Sequence, residues 1–206
     1  MNFDQVGLAV AGGICGACLT QAATFLRDWL VKGEEGRFTA LTLALALEDF
    51  ASRCTQPVFA LENYASSNFR TAEPSGSIPK LPEYPDRTSW RSIGVEHASN
   101  VLSFRVMVDS AHSYLSDVWE HEGSASVWGN ASDKAVELGA AALEVAGKLR
   151  RAFTLPAMPK GDSFDAEVFF RDRLADLATR RTAYEKAGAE MWAELDAEVA
   201  LTEPSE

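Results

Sequence analysis

Apolar residues recur at spacings of three and four along most of this 206-residue chain. No alternation of apolar and polar residues persists long enough to indicate strands, so the pattern predicts an all-α fold. Four segments carry an apolar stripe of the kind that neighbouring helices bury against one another. We therefore expect a four-helix bundle, with helices at about 37–68, 88–121, 131–153 and 163–201.

The segment at 88–121 has the clearest pattern. Its apolar and small positions alternate steps of four and three over four heptads, which is typical of a helix at the centre of a bundle. The helix should begin at Thr88 or Ser89, and Trp128 in the following linker, 123–130, should dock on the bundle. The repeating positions are Trp90, Gly94, His97, Val101, Phe104, Val108, Ala111, Leu115 and Val118.

The other three helices carry similar stripes. The first should kink or break at Pro57, because proline lacks the amide proton that an interior helical position needs. The last should be capped by Ser163. The first stripe consists of Leu43, Leu47, Phe50, Cys54, Val58 and Leu61, the third of Leu138, Ala142, Val145, Leu149 and Ala152, and the last includes Phe164, Val168, Leu174, Leu177, Tyr184, Met191, Leu195 and Val199.

Four prolines interrupt the chain between the first two bundle helices. Pro74, Pro79, Pro82 and Pro85 exclude both helix and sheet ladder from the segment 71–87. The simpler interpretation is a crossover loop between two long helices. The alternative is an extended, polyproline-like strap that lies across them.

An uncharged segment precedes the bundle. Residues 6–26 carry no charged side chain, and a helix of this length can cross about 30 Å of hydrocarbon at about 1.5 Å per residue. Phe3 and Trp29 flank it, as aromatic rings do at membrane interfaces. We expect one transmembrane helix here. A buried helix of a soluble protein is the alternative, and a cleaved signal peptide is disfavoured because residues 1–5 lack Lys and Arg.

Charge and small residues extend this prediction to topology and partners. Lys and Arg concentrate after the segment, so a single-pass protein of the cell membrane should have its N-terminus outside and most of its chain in the cytoplasm. Gly12, Gly16, Thr20 and Thr24 form a row along which two membrane helices can approach closely. The expected partners are the lipid bilayer, through residues 6–26, and either a second copy or another membrane protein.

Two cysteines inside this segment form a C-x-x-C pair. A thioredoxin-type pair lies at a helix N-terminus after a strand, and a zinc site needs two further ligands nearby. Neither setting accompanies Cys15 and Cys18, so we interpret both as small apolar residues. With Cys54 the chain has three cysteines, which gives no disulfide framework and suits a reducing compartment.

The net charge of −11 argues against nucleic-acid binding, because an acidic surface repels phosphate backbones. Two short basic clusters, at 148–151 and 180–181, are expected on exposed faces or last turns of helices, where cations favour the helix dipole. Neither is large enough to change that conclusion.

No group of residues indicates a reaction. Asp109 and His112 stand three positions apart on one helix face and are the only candidate metal ligands, with Glu48 and Asp49 as conceivable partners from a neighbouring helix. A bundle metal site needs more than one such pair, so we expect no catalytic residue, no metal and no cofactor. His97 should lie in the core, whereas His112 and His121 should lie on a solvated face.

These patterns favour a membrane-anchored helical protein that acts as an interaction or structural module. Its parts would be an anchor and flank at 1–36, a cytoplasmic bundle at 37–201 and a frayed tail at 202–206. The alternative is a soluble helical-bundle enzyme, with or without a metal, whose N-terminal helix is buried in its core.

Overall fold

The computed structural model describes residues 3–84, 88–158 and 164–202, with side chains over 33–84, 88–158 and 164–193. α3 contacts the other three helices, and α1 also packs on α2. The predicted all-α bundle is confirmed. The described ranges hold no strand and four helices: α1 (Phe3–Ser66), α2 (Trp90–Glu122), α3 (Ser124–Ala152) and α4 (Ala166–Thr202).

α1 joins two predicted elements into one helix. The predicted membrane segment and the first bundle helix are continuous, and the predicted domain boundary between 36 and 37 lies inside α1. The charged residues between them are mostly good helix formers, and the helix also continues through Gly33 and Gly36. α1 also continues through Pro57 without the predicted break, because Cys54 and Val58 on either side are buried in the core.

The predicted membrane span gains no support from the structure. Within the part of the chain that is described, no helix is both long enough and apolar enough to cross a membrane. The side chains of residues 6–26 lie outside the described ones. The four predicted helix-packing residues, Gly12, Gly16, Thr20 and Thr24, fall in this segment, as do Cys15 and Cys18.

α2 packs on the bundle along the predicted heptad positions, from Val101 to Val118. Phe104 meets Phe50 of α1 edge to face, with ring centroids 5.5 Å apart. Gly94 departs from the prediction, because its φ of 78° and ψ of 161° break the helical path. Glycine adopts this conformation without the strain that a side chain would bring. The regular part of α2 therefore begins at Val95.

Only Gly123 separates α2 from α3. Its φ of 85° turns the chain, and the helix resumes at Ser124, so the predicted linker at 123–130 is wrong beyond its first residue. The early helix start is held by Trp128, whose ring meets that of Tyr64 with centroids 5.2 Å apart. The predicted docking of Trp128 on the bundle is confirmed.

The proline-rich connection lies against the helices as a strap, as far as it is described. Residues 72–84 form neither helix nor strand. Ile78 is buried in the core, and the Tyr84 hydroxyl donates a hydrogen bond to the carbonyl oxygen of Val101, 3.4 Å away. Tyr84 also packs edge to face on Trp90. Residues 85–87 lie outside the described part of the chain.

α4 begins at a carboxylate cap. The predicted cap, Ser163, lies outside the described residues, and the Asp165 carboxylate accepts hydrogen bonds from the backbone amides of Glu167 and Val168. Phe170 follows and is buried against Gly139 of α3. Glycine at that position lets the two helices approach closely.

Among the described side chains of α4, those that pack on the bundle lie in its first half. Leu177 is buried, but the described side chains after it are exposed, apart from the half-buried Gly188. The predicted apolar stripe of this helix is confirmed at Leu177, which is buried, and at Leu174, which packs partly buried against the core. It is wrong at Phe164, Val168, Tyr184 and Met191, which are exposed, and the side chains of Leu195 and Val199 lie outside the described ones. Phe170, which the stripe did not include, is also buried.

Candidate functional site

α2 carries a second apolar stripe on the face opposite its core contacts. Val95 is 88% exposed, Leu102 46% and Val106 64%. The spacings of seven and four keep the three side chains on one side of the helix. A surface helix normally has charged or polar residues there, so a row of aliphatic side chains on this side marks a candidate interaction site. We call it the outer face of α2.

The outer face is a shallow groove rather than a ridge. The break at Gly94 lets Trp90 and Arg91 form one end of it, and the groove has a volume of about 610 Å³. Small residues, Ala98, Ser99 and Ser103, lie between the larger ones. A neighbouring side chain could therefore fit between them, as it does in helix–helix packing.

Charge is distributed unequally along this helix. Arg91 lies at the N-terminal end of the groove. Asp109, Asp117 and Glu120 follow the aliphatic stripe at the C-terminal end, and all three are exposed. Arg105 lies at the side, over the ring of Tyr84, with its guanidinium carbon 5.8 Å from the ring centroid. Glu96 is also exposed, directly after Val95, but it does not line the groove. The groove itself has a basic residue at its N-terminal end and aliphatic residues in the middle, and acidic residues follow its C-terminal end.

The candidate metal ligands of α2 do not converge with other ligands. The Asp109 side chain is exposed, and no described group of three or more His, Cys, Asp or Glu residues could hold a metal ion. His112 is half-buried rather than solvated, and its Nε2 atom is enclosed without a hydrogen-bond partner among the described residues. It lines a cleft of about 370 Å³ with Ser75, Ser77 and Trp119.

The other two histidines have structural settings. His97 is half-buried rather than in the core as predicted, and its ring meets that of Phe153 with centroids 5.5 Å apart. His121 is exposed as predicted, and its Nδ1 atom lies 2.8 Å from the carbonyl oxygen of Asp117. Cys54 is buried, and desolvation raises the pKa of its thiol to about 12 although Arg53 opposes the shift. None of these groups is placed for nucleophilic or acid–base chemistry.

Glu48 is committed to an ion pair in the core. Its carboxylate accepts two hydrogen bonds from Arg150 of α3, at 2.5 Å from Nε and 2.8 Å from the second guanidinium nitrogen. Arg150 also donates to the carbonyl oxygen of Pro156. Glu48 thus ties α1 to α3 and to the chain after it, and it is not available to a metal. Asp49 pairs with Arg53 one turn later.

A second cleft lies between α1, α3 and α4, with a volume of about 510 Å³. Four of its five charged side chains form ion pairs, Arg173 with Glu62 and Arg180 with Asp133, and the fifth is Asp176. Val58 and Val136 form part of its wall. Because both arginines of the cleft already bind carboxylates of the chain itself, we do not assign a ligand to it.

Sequence reasoning did not find the outer face of α2. The heptad positions used for prediction select the buried side, and Val95, Leu102 and Val106 fall between them. Their own spacing was the available signal, because a helix with one buried face has no need of a second aliphatic row.

Neither a protein-family model, nor a curated protein, nor a solved structure matches this chain.

Proposed function

We propose that this protein is a membrane-anchored interaction module. The segment 6–26 would cross the membrane once, with the N-terminus outside and the helical bundle in the cytoplasm, and the bundle would bind a protein through the outer face of α2. The support for the anchor is the length of its uncharged run and the Lys and Arg that follow it. The support for binding is the outer face itself.

The observation that carries the binding proposal is the exposed row of Val95, Leu102 and Val106. Full burial of one such side chain is worth roughly 1.5–3 kcal/mol, so leaving three in water forgoes several kcal/mol that a partner could recover. The row lies on a helix whose opposite side is fixed in the core, which gives a rigid, ready-formed surface. The bundle is therefore better suited to holding a partner than to catalysis.

The binding proposal is tested with detergent-solubilised, full-length protein cross-linked to its partners in its native membranes. Leu102→Glu places a charge in the middle of the groove and should lower partner recovery about tenfold, because a buried unpaired carboxylate is costly. Met107→Glu is the matched control, since Met107 is exposed on the same helix but lies outside the groove. Equal losses for the two variants would remove the outer face from the proposed function.

The anchor is tested separately by carbonate extraction of membranes that contain the full-length protein. An integral single-pass protein stays in the pellet, whereas a peripheral or unattached protein enters the supernatant. Recovery in the supernatant would refute the anchor and leave the outer face to be judged on its own experiment.

A further inference from the structure

We propose that the outer face of α2 is the interface of an antiparallel homodimer, in which it packs against the same face of a second copy. This inference rests on the proposed function, because it names the partner that the outer face would bind. A two-fold interface requires one patch to be complementary to itself. The order of charged, aliphatic and small residues along α2 has that property.

Charge selects the direction of the pair. In a parallel pair, Arg91 would face the Arg91 of the other copy, and each acidic residue after Val106 would face its own counterpart. An antiparallel pair brings the basic end of each copy beside the acidic end of the other. Like charges facing each other are unfavourable and unlike charges are favourable, so the antiparallel arrangement is preferred.

One alignment of two antiparallel copies of α2 brings their aliphatic side chains into contact. Val95 and Val106 are equally far along the helix from the point midway between Asn100 and Val101. If the two-fold axis passes there, Val95 of each copy meets Val106 of the other at both ends of the stripe. Leu102 then lies opposite the small residues Ala98 and Ser99 of the second copy, where the groove has room for it. Large side chains against small ones give close helix packing.

The same register pairs the charges at the ends. Arg91 and Asp109 lie on opposite sides of the axis, at distances along the chain that differ by one residue. Arg91 precedes the break at Gly94 and lines the N-terminal end of the groove with a long side chain. Each Arg91 can therefore reach Asp109 of the second copy, and two-fold symmetry gives this ion pair twice. Arg105 remains at the side of the interface, over Tyr84 of its own chain.

The expected association is weak and depends on concentration. The aliphatic part of the interface extends from Val95 to Val106, about three helical turns, which is shorter than a stable dimer interface usually requires. Confinement to a membrane surface would raise the effective concentration of the two copies. A test must therefore detect a specific contact rather than only the size of the purified protein.

Disulfide cross-linking between two differently tagged full-length copies provides this test. One copy carries Val95→Cys and the other Val106→Cys, both in a background with Cys15→Ala and Cys18→Ala. Cys54 can stay, because it is buried. Mild oxidation of the mixture should give about tenfold more cross-linked dimer than oxidation of either copy alone, because each variant's cysteine lies several turns from its own counterpart in the second copy.

Charge reversal supplies a second, independent measurement. Arg91→Asp and Asp109→Arg should each weaken self-association about fivefold to tenfold, because each puts like charges together twice. Mixing the two variants should restore self-association to the wild-type level, since residue 91 of each copy then faces a residue 109 of opposite charge in the other copy. Restoration on mixing identifies the partner as a second copy, because a different protein would not respond to the combination.

Three results would overturn the proposal. Cross-linking of Val95→Cys to Val95→Cys in a second copy would show a parallel pair. Failure of all cysteine pairs to cross-link would remove the second copy as partner. Failure of the mixed charge-reversal variants to recover self-association would refute the ion pair. If these fail while Leu102→Glu still abolishes recovery of another protein, the proposed function stands without the homodimer. If Leu102→Glu also has no effect, both proposals fail.

Discussion

At the scale of single residues, Glu48 and Arg150 form the most deeply buried ion pair among the described residues. The two side chains are 7% and 9% exposed. Burying a charge is costly unless it is paired, and the fit here is favourable because the guanidinium donates twice to one carboxylate. Removing only one partner should therefore cost much more than removing an exposed ion pair.

Arg150→Ala should lower the free energy of unfolding by about 3–5 kcal/mol, because it leaves Glu48 buried without a counter-charge. The control is Lys148→Ala, two residues before Arg150, which removes an exposed ion pair with Glu144. It should lower the free energy of unfolding by at most about 1 kcal/mol. Both values come from urea denaturation. If the unpaired charge is the cause, Glu48→Leu combined with Arg150→Met should be more stable than Arg150→Ala alone, and the opposite order would disprove this explanation.

The sequence identified the stripe around this pair but not the pair itself. Residues 148–151 form a basic cluster expected on an exposed face or in the last turn of a helix, and Arg150 does lie in the last turn of α3. It is buried nonetheless, because it lies one turn after the core residue Ala146 on the same face. Glu48 likewise lies one turn after the buried Ala44. A pattern of apolar residues cannot show that two charged residues 102 positions apart meet, because that contact depends on how two helices are aligned.

At the scale of elements, the approach of α4 to α3 depends on Gly139. A Cβ atom built at this position would lie 2.3 Å from the ring of Phe170. Gly139→Ala should therefore push the ring out of its site and destabilise the fold by about 1–3 kcal/mol, although alanine is the better helix former.

Gly129→Ala in the same helix is the matched control. No atom lies within 4 Å of its added Cβ, so the substitution should raise stability by about 0.5–1 kcal/mol. Thermal unfolding shows whether each substitution raises or lowers the stability of the fold. Hydrogen exchange at residues 166–177 reports whether α4 has detached from the bundle. Stabilisation by both substitutions would show that Phe170 can move aside and that Gly139 is not needed for the contact.

The elements differ in how far their sequences determined them. The heptads of α2 predicted its position in the bundle, because a long regular apolar stripe indicates a helix with one buried face. The start of α3 did not follow from the sequence, because Ser124–Asn130 consists mostly of small and polar residues and carries no regular apolar stripe. Its helical state depends on Trp128 contacting Tyr64, which lies far away along the chain. The predicted change from membrane to water at 27–36 favours two separate helices there, whereas α1 is continuous.

At the scale of the whole molecule, α4 is attached by a short apolar contact and a set of ion pairs. Arg181 and Lys134 both donate to the carboxylate of Glu137 on α3, and Arg180 pairs with Asp133 one turn before it. The rest of α4 up to residue 193 lies away from the other helices. The attachment of this helix should therefore depend on the ionisation of a few carboxylates.

Acid should loosen α4 through Glu137. Burial raises the pKa of this carboxyl, but hydrogen bonds from Lys134 and Arg181 outweigh burial and hold the pKa below its ordinary value of 4.5. A group whose pKa is lower in the folded protein stabilises the fold above its unfolded pKa. The contribution should be complete above about pH 5 and should decline as the pH falls through 4.5 towards the folded value.

Glu137→Gln isolates this effect from the other carboxylates, including Glu144, whose pKa is lowered by a hydrogen bond from Lys148. The variant removes the charge that Lys134 and Arg181 contact, so it should be less stable than the wild type at pH 7, by about 1 kcal/mol because the site is partly exposed. The difference between the two proteins in urea denaturation should shrink as the pH falls below 4.5, since the wild-type carboxyl then becomes neutral as well. A difference that stays constant down to pH 3 would mean that the lost packing of the side chain, rather than its charge, accounts for the change.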